Sequence, residues 1–189
     1  MLLPSKFLNG NNMMRFIKAF LFGITGLFIV ITLLSLLITS NVRVSRATVI
    51  NNTSLDKLYQ QIADLKNWQN WHPIFKTPLV VINFGKVTAG KNAACDIVYN
   101  NKTTHLLITG ADSSSIKFIL KSAGENDIEN AINFAPLTSA REIRVEWRAL
   151  TKLHWYPWEK VYAIFIDKIT GPGYDAALNG LKDFIEKNP

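Results

Sequence analysis

Three histidines, His72, His105 and His154, are the residues of this chain best placed to carry a proton or a metal near neutral pH. They are far apart in sequence. No HExxH pair, phosphate-binding glycine loop or G-x-S-x-G elbow gathers them or any other reactive group into a known arrangement. Independent positions are the simpler reading, so no metal and no cofactor is expected. The single cysteine, Cys95, excludes an intrachain disulfide and every cysteine-based zinc spacing. Glu142, Arg144, Glu146 and Arg148 offer two acids and two bases in one short stretch. They alternate with Ile143, Val145, Trp147 and Ala149, which on a strand makes them a solvated ladder of opposite charges rather than an acid-base array.

What remains is the chemistry of binding. Trp68 and Trp71 are three residues apart and share a face if their segment is helical, where they stack on a ligand or fill a core. Asn130 falls on the apolar face of its strand with Ile128, Ile132 and Phe134, so it needs a buried partner or a ligand. Trp155-Tyr156-Pro157-Trp158 has the composition of a membrane interface. It reads either as a membrane-facing lip or as a hydrophobic turn of the core.

The elements that must position these residues begin with a stretch of another kind. Ala19 to Ile38 carries no charge, and at about 1.5 Å of rise per residue it covers the roughly 30 Å hydrocarbon core of a bilayer. A cleavable secretory signal would have an apolar region of roughly 7 to 15 residues ending in a small-x-small site, which Ile38-Thr39-Ser40 does not supply. A buried core helix of this length would keep a polar face. The chain therefore divides into an N-terminal segment over residues 1–15, a single transmembrane anchor over 16–40 and a domain over 42–189. Met13-Met14-Arg15 has the form of a signal-anchor beginning. Lys6, Arg15 and Lys18 before the anchor, against Arg43 and Arg46 after it, favour an N-terminus inside the cell membrane. The other basic residues, of 21 in all against 14 acidic ones, are spread along the chain, which argues against nucleic acid as a partner.

Asn41 to Ile50 alternates as a strand, and Ser54 caps a helix whose apolar residues Leu55, Leu58, Tyr59 and Ile62 recur at helical spacing. Pro73 closes the tryptophan segment. Six period-two stretches follow, over Leu79 to Phe84, Ala94 to Tyr99, His105 to Gly110, Ser115 to Leu120, Ile128 to Phe134 and Glu142 to Ala149, separated by turns short enough for an antiparallel meander. Trp158 to Ile166 is a short helical candidate, and Thr170-Gly171-Pro172-Gly173 is expected to break it. Tyr174, Leu178, Leu181 and Ile185 then form the apolar stripe of a last helix, which must bury that stripe on the sheet. This order of elements is that of an α+β helix-grip fold, an antiparallel sheet wrapped around a long C-terminal helix.

The domain resembles a membrane-anchored member of the START-like, SRPBCC superfamily, in the branch of polyketide cyclases/dehydrases and lipid transport. The resemblance rests on Val44-Ser45-Arg46-Ala47-Thr48-Val49-Ile50, on Asp64-Leu65-Lys66-Asn67-Trp68 through Trp71-His72-Pro73, and on Leu178-Asn179-Gly180-Leu181-Lys182. Gly90-Lys91-Asn92-Ala93 stands where relatives tend to have Gly-x-Gly-Ala, and Lys102-Thr103-Thr104 where they tend to have a glycine. The expected function is to bind a lipid or another small hydrophobic ligand in an apolar cavity between sheet and helix. The residues expected at that cavity are Trp68, Trp71, Phe118, Asn130, Ile132, Phe134, Val145, Trp147, Leu178 and Leu181. A cyclase or dehydratase acting on a hydrophobic substrate, which the resemblance also implies, requires an acid or base reaching into the cavity. A non-catalytic protein-binding module at the membrane would instead have a filled interior and an exposed apolar patch.

Overall fold

In the computed structural model, which describes residues 10–137 and 141–188, the period-two stretches become strands of one sheet. They are β1 (Asn41–Asn51), β2 (Val81–Phe84), β3 (Ala94–Tyr99), β4 (Lys102–Asp112), β5 (Ser115–Ser122), β6 (Ile128–Pro136) and β7 (Glu142–Lys152). Every pairing is antiparallel, and the order across the sheet is β1-β7-β6-β5-β4-β3-β2. From β2 to β7 the sheet is a meander, and β1 returns to pair with β7. The helices are α1 (Gly10–Ser35), α2 (Leu55–Ala63), α3 (Trp68–Trp71), α4 (Pro157–Ala163) and α5 (Ile166–Lys187). This is a helix-grip-like α+β architecture behind an N-terminal apolar helix.

The local chemistry explains the tight connections. Asn100 and Asn101 both take positive φ, 48° and 60°, which makes the two-residue turn joining β3 and β4 follow the twist of the strands. Gly90 and Asn92 are at φ 71° and 70°. Asn92 thus occupies the left-handed region that the missing second glycine would have served, as asparagine tolerates. Alternation sorts the faces: Ile143, Val145, Trp147 and Ala149 are buried, while Arg148 pairs with Glu146 on the outer face at 2.8 Å. The charge ladder read from the sequence is a surface feature.

Helix α5 lies over β1 and β7 and buries Ala177, Leu178, Leu181 and Ile185. Full burial of each large side chain among them contributes about 1.5 to 3 kcal/mol. The expected break at Thr170-Gly171-Pro172-Gly173 does not occur, because α5 runs through Pro172 without interruption. Arg46 of β1 supplies the reason. Its guanidinium reaches Asp167 at 2.9 Å and Asp175 at 3.1 Å, one on each side of the proline, and rests against the buried backbone of Gly171. The three positions, at i, i+4 and i+8, share one helix face. A cation that binds both flanking turns offsets the hydrogen bond that proline cannot donate. The helix expected over Trp158 to Ile166 ends earlier, at Ala163, and Ile164 and Phe165 form the corner into α5.

Helix α1 is long and apolar enough to cross a membrane between Met13 and Ser35. It stops short of the apolar run's end at Ile38, because the amides of Leu36, Leu37 and Ile38 bond carbonyls three residues back, a tightening typical of helix ends. The start of the N-terminal segment, residues 1–9, lies outside the described residues.

Candidate ligand-binding cleft

Between α5 and the sheet lies a cleft of about 280 Å³, walled by Trp68, His72, Pro73, Ile74, Phe75, Ile97, Leu106, Phe118, Leu120, Trp147, Thr170, Gly173, Tyr174 and Ala176. Its floor is the sheet and its far wall is the first half of α5. The near wall is the stretch after α2, and that wall is built by caps. Ser54 Oγ accepts from the Lys57 amide to start α2, and Asp64 accepts from the Lys66 amide to start the turn leading into α3. His72 then accepts from the Ile74 amide through Nδ1 at 3.3 Å, with Pro73 at the first helical position of the turn that follows. A histidine thus acts as an N-cap, and its ring is fixed against the cleft.

Aromatic rings form the deep end. Trp68 stands at the centre, 5.3 Å from His72 in a parallel stack, 5.4 Å from Phe118 and 6.1 Å from Trp147, both edge to face. Tyr174 of α5 closes the group 5.3 Å from Trp147. Such pairs add about 0.5 to 1.5 kcal/mol each beyond area burial, so the aromatic wall is rigid. The indole N–H groups of the three buried tryptophans are spent within the protein: Trp68 donates to the Ile62 carbonyl at 2.8 Å, Trp71 to the Gln61 carbonyl at 3.1 Å, and Trp147 to Asn130 Oδ1 at 3.0 Å. Asn130 therefore has its buried partner in Trp147, and the bond fixes an indole that lines the cleft.

Of the ten residues expected at the cavity, Trp68, Phe118 and Trp147 line the cleft. Trp71, Asn130, Ile132, Phe134, Val145, Leu178 and Leu181 are buried behind it or beyond it. The difference lies in α5. Its second half buries Leu178, Leu181 and Ile185, whereas its first half turns Tyr174 to Trp147 and edges the cleft with the exposed Gly173 and Ala176. A Cβ at Gly173 would find nothing within 4 Å.

The electrostatics are those of a neutral site. Burial pushes the His72 imidazole down to about 4 and the Tyr174 phenol up, because the charged form of each is the one penalised. Both are uncharged at neutral pH. With Nδ1 accepting, the His72 proton sits on Nε2, which has no hydrogen-bond partner among the described residues. Thr170 Oγ1 donates to the Ile166 carbonyl at 2.8 Å. His105 and His154 are elsewhere, beside Asp96 and Glu159 respectively, and no group of three metal-ligating side chains occurs among the described residues. Buried Cys95 is driven up to about 12 by burial and by neighbouring Asp96, which makes it an inert thiol. A groove of about 370 Å³ on the sheet's outer face is edged by Arg43, Lys117, Glu129 and Arg148; that edge is the wet side of the alternating strands.

No family model matches the chain, and no curated protein matches it. Solved structures do. A hypothetical protein from Helicobacter pylori superposes with a TM-score of 0.57 at 12% identity, over 77% of this chain and 88% of that one. The protein XoxI from Bacillus cereus gives 0.54 at 15% identity, over 78% and 99%. A protein from Thermobifida fusca gives 0.55 at 14%, over 74% and 90%. At such identities the likeness is one of fold: an antiparallel sheet holding a C-terminal helix.

Proposed function

We propose that this chain is a membrane-anchored, START-like binding module that holds a small, uncharged, hydrophobic molecule in the cleft between the sheet and the first half of α5. The observation that carries this reading is the lining itself, which among the described residues contains no Asp, Glu, Lys or Arg. A lipid phosphate or free carboxylate brought there would lose its hydration and meet no cation. An acyl chain or ring system gains from the aromatic wall, and the His72 Nε2–H is a neutral donor for one carbonyl or hydroxyl oxygen. The volume lies at the lower edge of the roughly 300 to 1,000 Å³ of ligand pockets, so one chain or ring system fits, not a whole phospholipid.

A cyclase or dehydratase is the second reading, and His72 and Tyr174 are the observation in its favour, since both reach the cleft. Their protonation argues for binding. A base held down to about 4 abstracts protons weakly at neutral pH, and a phenol pushed up donates them weakly.

Native mass spectrometry of the full chain released from detergent tests the proposal. It should find a co-purified neutral apolar molecule, absent from Gly173→Leu, whose new side chain enters the cleft. Equal retention by both proteins would refute the cleft as the site.

A further inference from the structure

The stretch from Trp155 to Phe165 is built inside out for a surface facing water. Trp155, Trp158, Val161, Tyr162, Ile164 and Phe165 are exposed, Trp158 by 62% and Ile164 by 63%, while the charged Lys160 is only 4% exposed. The other charged residue of the stretch, Glu159, is turned inward to the His154 amide at 2.8 Å and to Asn126 at 3.1 Å. No charged side chain is exposed between Trp155 and Phe165. An aqueous surface sorts residues the other way, and an apolar patch of this kind marks an interaction site.

The partner follows from what Lys160 does. Its Nζ donates to the Ile38 carbonyl at 2.9 Å and to Ser40 Oγ at 2.6 Å, and the Leu153 amide bonds the Ser40 carbonyl at 2.7 Å. These bonds fasten α4 and the end of β7 to the exit of α1, whose carbonyl end the lysine cation complements. When α1 spans a bilayer, its exit is at the interface, where Trp and Tyr are enriched. The exposed aromatics of α4 are then held at that depth. Sheet register extends the same level across the domain. Asn41 is opposite Lys152, Thr151 opposite Ile128, Leu120 also opposite Ile128, Ser122 opposite Thr104, and Lys102 opposite Tyr99. One end of the sheet thus faces the α1 exit, and near that end Leu79 and Tyr99 are exposed as well.

We propose that α4 and its flanking residues form an interfacial docking surface, lying in the headgroup and acyl boundary of the bilayer that α1 crosses, so that the domain rests on the membrane instead of swinging from a tether. Two grooves toward this rim share lining residues with the cleft. Thr170 is shared with a groove bounded by Tyr162 and Ile166, and Ile74 and Ile97 with one that ends at Tyr99 and Lys102. The docking surface requires α1 in a membrane but does not require the cleft to be occupied.

The full chain, reconstituted in vesicles of phosphatidylethanolamine and phosphatidylglycerol, would carry one nitroxide label at a time at Phe22→Cys, Trp158→Cys, Ile164→Cys or Lys117→Cys. Buried Cys95 does not compete for the label. Power saturation compares collisions with oxygen, which partitions into lipid, and with a water-soluble nickel chelate. Labels at 158 and 164 should have an oxygen-to-nickel ratio at least about threefold above that at 117, at depths of roughly 5 to 10 Å, shallower than the label at 22. A label at 22 in lipid with those at 158 and 164 in water would overturn the proposal. So would labels at 158 and 164 shielded from both reagents, since a protein surface would then cover the patch. Water at all three positions would overturn it together with the membrane reading of α1, and would leave the cleft assignment standing.

Discussion

Replacing glycine by alanine at two positions of the same helix should move stability in opposite directions. Gly173 and Gly180 are both inside α5, where alanine is favoured over glycine by about 1 kcal/mol. A Cβ at Gly173 meets nothing within 4 Å, so Gly173→Ala should stabilise by about 0.5 to 1 kcal/mol. A Cβ at Gly180 would fall on the carbonyl oxygen of Trp71, well inside the 3.0 Å that real Cβ atoms keep. That oxygen belongs to backbone and cannot rotate away. The helix must instead withdraw from α3 by a distance on the order of 1 Å, which loosens Leu178, Leu181 and Ile185 together. Overpacking costs about 1 to 3 kcal/mol, and a shift of backbone puts this site at the upper end, so after the propensity gain of about 1 kcal/mol Gly180→Ala should destabilise by about 2 kcal/mol. Urea melts of the full chain in non-ionic detergent, followed by the fluorescence of buried Trp68, Trp71 and Trp147, would read both. With a slope of about 2 kcal/mol per molar, the midpoint should fall by about 1 M for Gly180→Ala and rise by about 0.3 to 0.5 M for Gly173→Ala. Midpoints shifting together in either direction would mean that α5 is not pressed on the Trp71 carbonyl, and the grip described here would be wrong.

Other outcomes follow from the same contacts. Leu181→Ala removes a fully buried side chain and should cost about 2 to 5 kcal/mol, while Lys182→Ala, at the half-exposed neighbour, should cost less than about 0.5 in the same melts. His72 has a folded value near 4 against 6.5 when unfolded, so the unfolded chain binds the extra proton as pH falls. Stability should decline between pH 6.5 and 4 by on the order of 3 kcal/mol, and His72→Asn, whose Oδ1 can still accept from Ile74, should remove that slope. Glu146 is held down to about 2 by hydrogen bonds from Arg148 and Ser45. Its contribution is complete above about 4.5 and lost as pH falls toward 2, so Glu146→Gln should flatten the acid limb of the melting profile.

The grip could be read from patterning because burial at period two marks every second residue and burial at period 3.6 every third or fourth. The strands, α2 with its Ser54 cap, and the stripe Leu178, Leu181, Ile185 are all written locally. The continuity of α5 is not, since Thr170-Gly171-Pro172-Gly173 reads as a break by every local rule. It is overruled by Arg46, more than a hundred residues away, which packs on Gly171 and binds carboxylates on both sides of Pro172. Asn130 was recognisable as a group needing a partner, but a sequence does not say that Trp147 lies within 3.0 Å of it. His72 gave even less signal, because a histidine before proline reads as a loop residue until its Nδ1 is seen capping the next turn. The large apolar residues marked a cavity site in the sequence, yet large residues are what fills space. Gly173 and Ala176, both exposed, edge the cleft in the half of α5 that Arg46 and Asp167 hold in place, and Tyr174 of the same half reaches Trp147 at 5.3 Å. The same helix thus packs Leu178, Leu181 and Ile185 into the core with its second half and walls the cleft with its first.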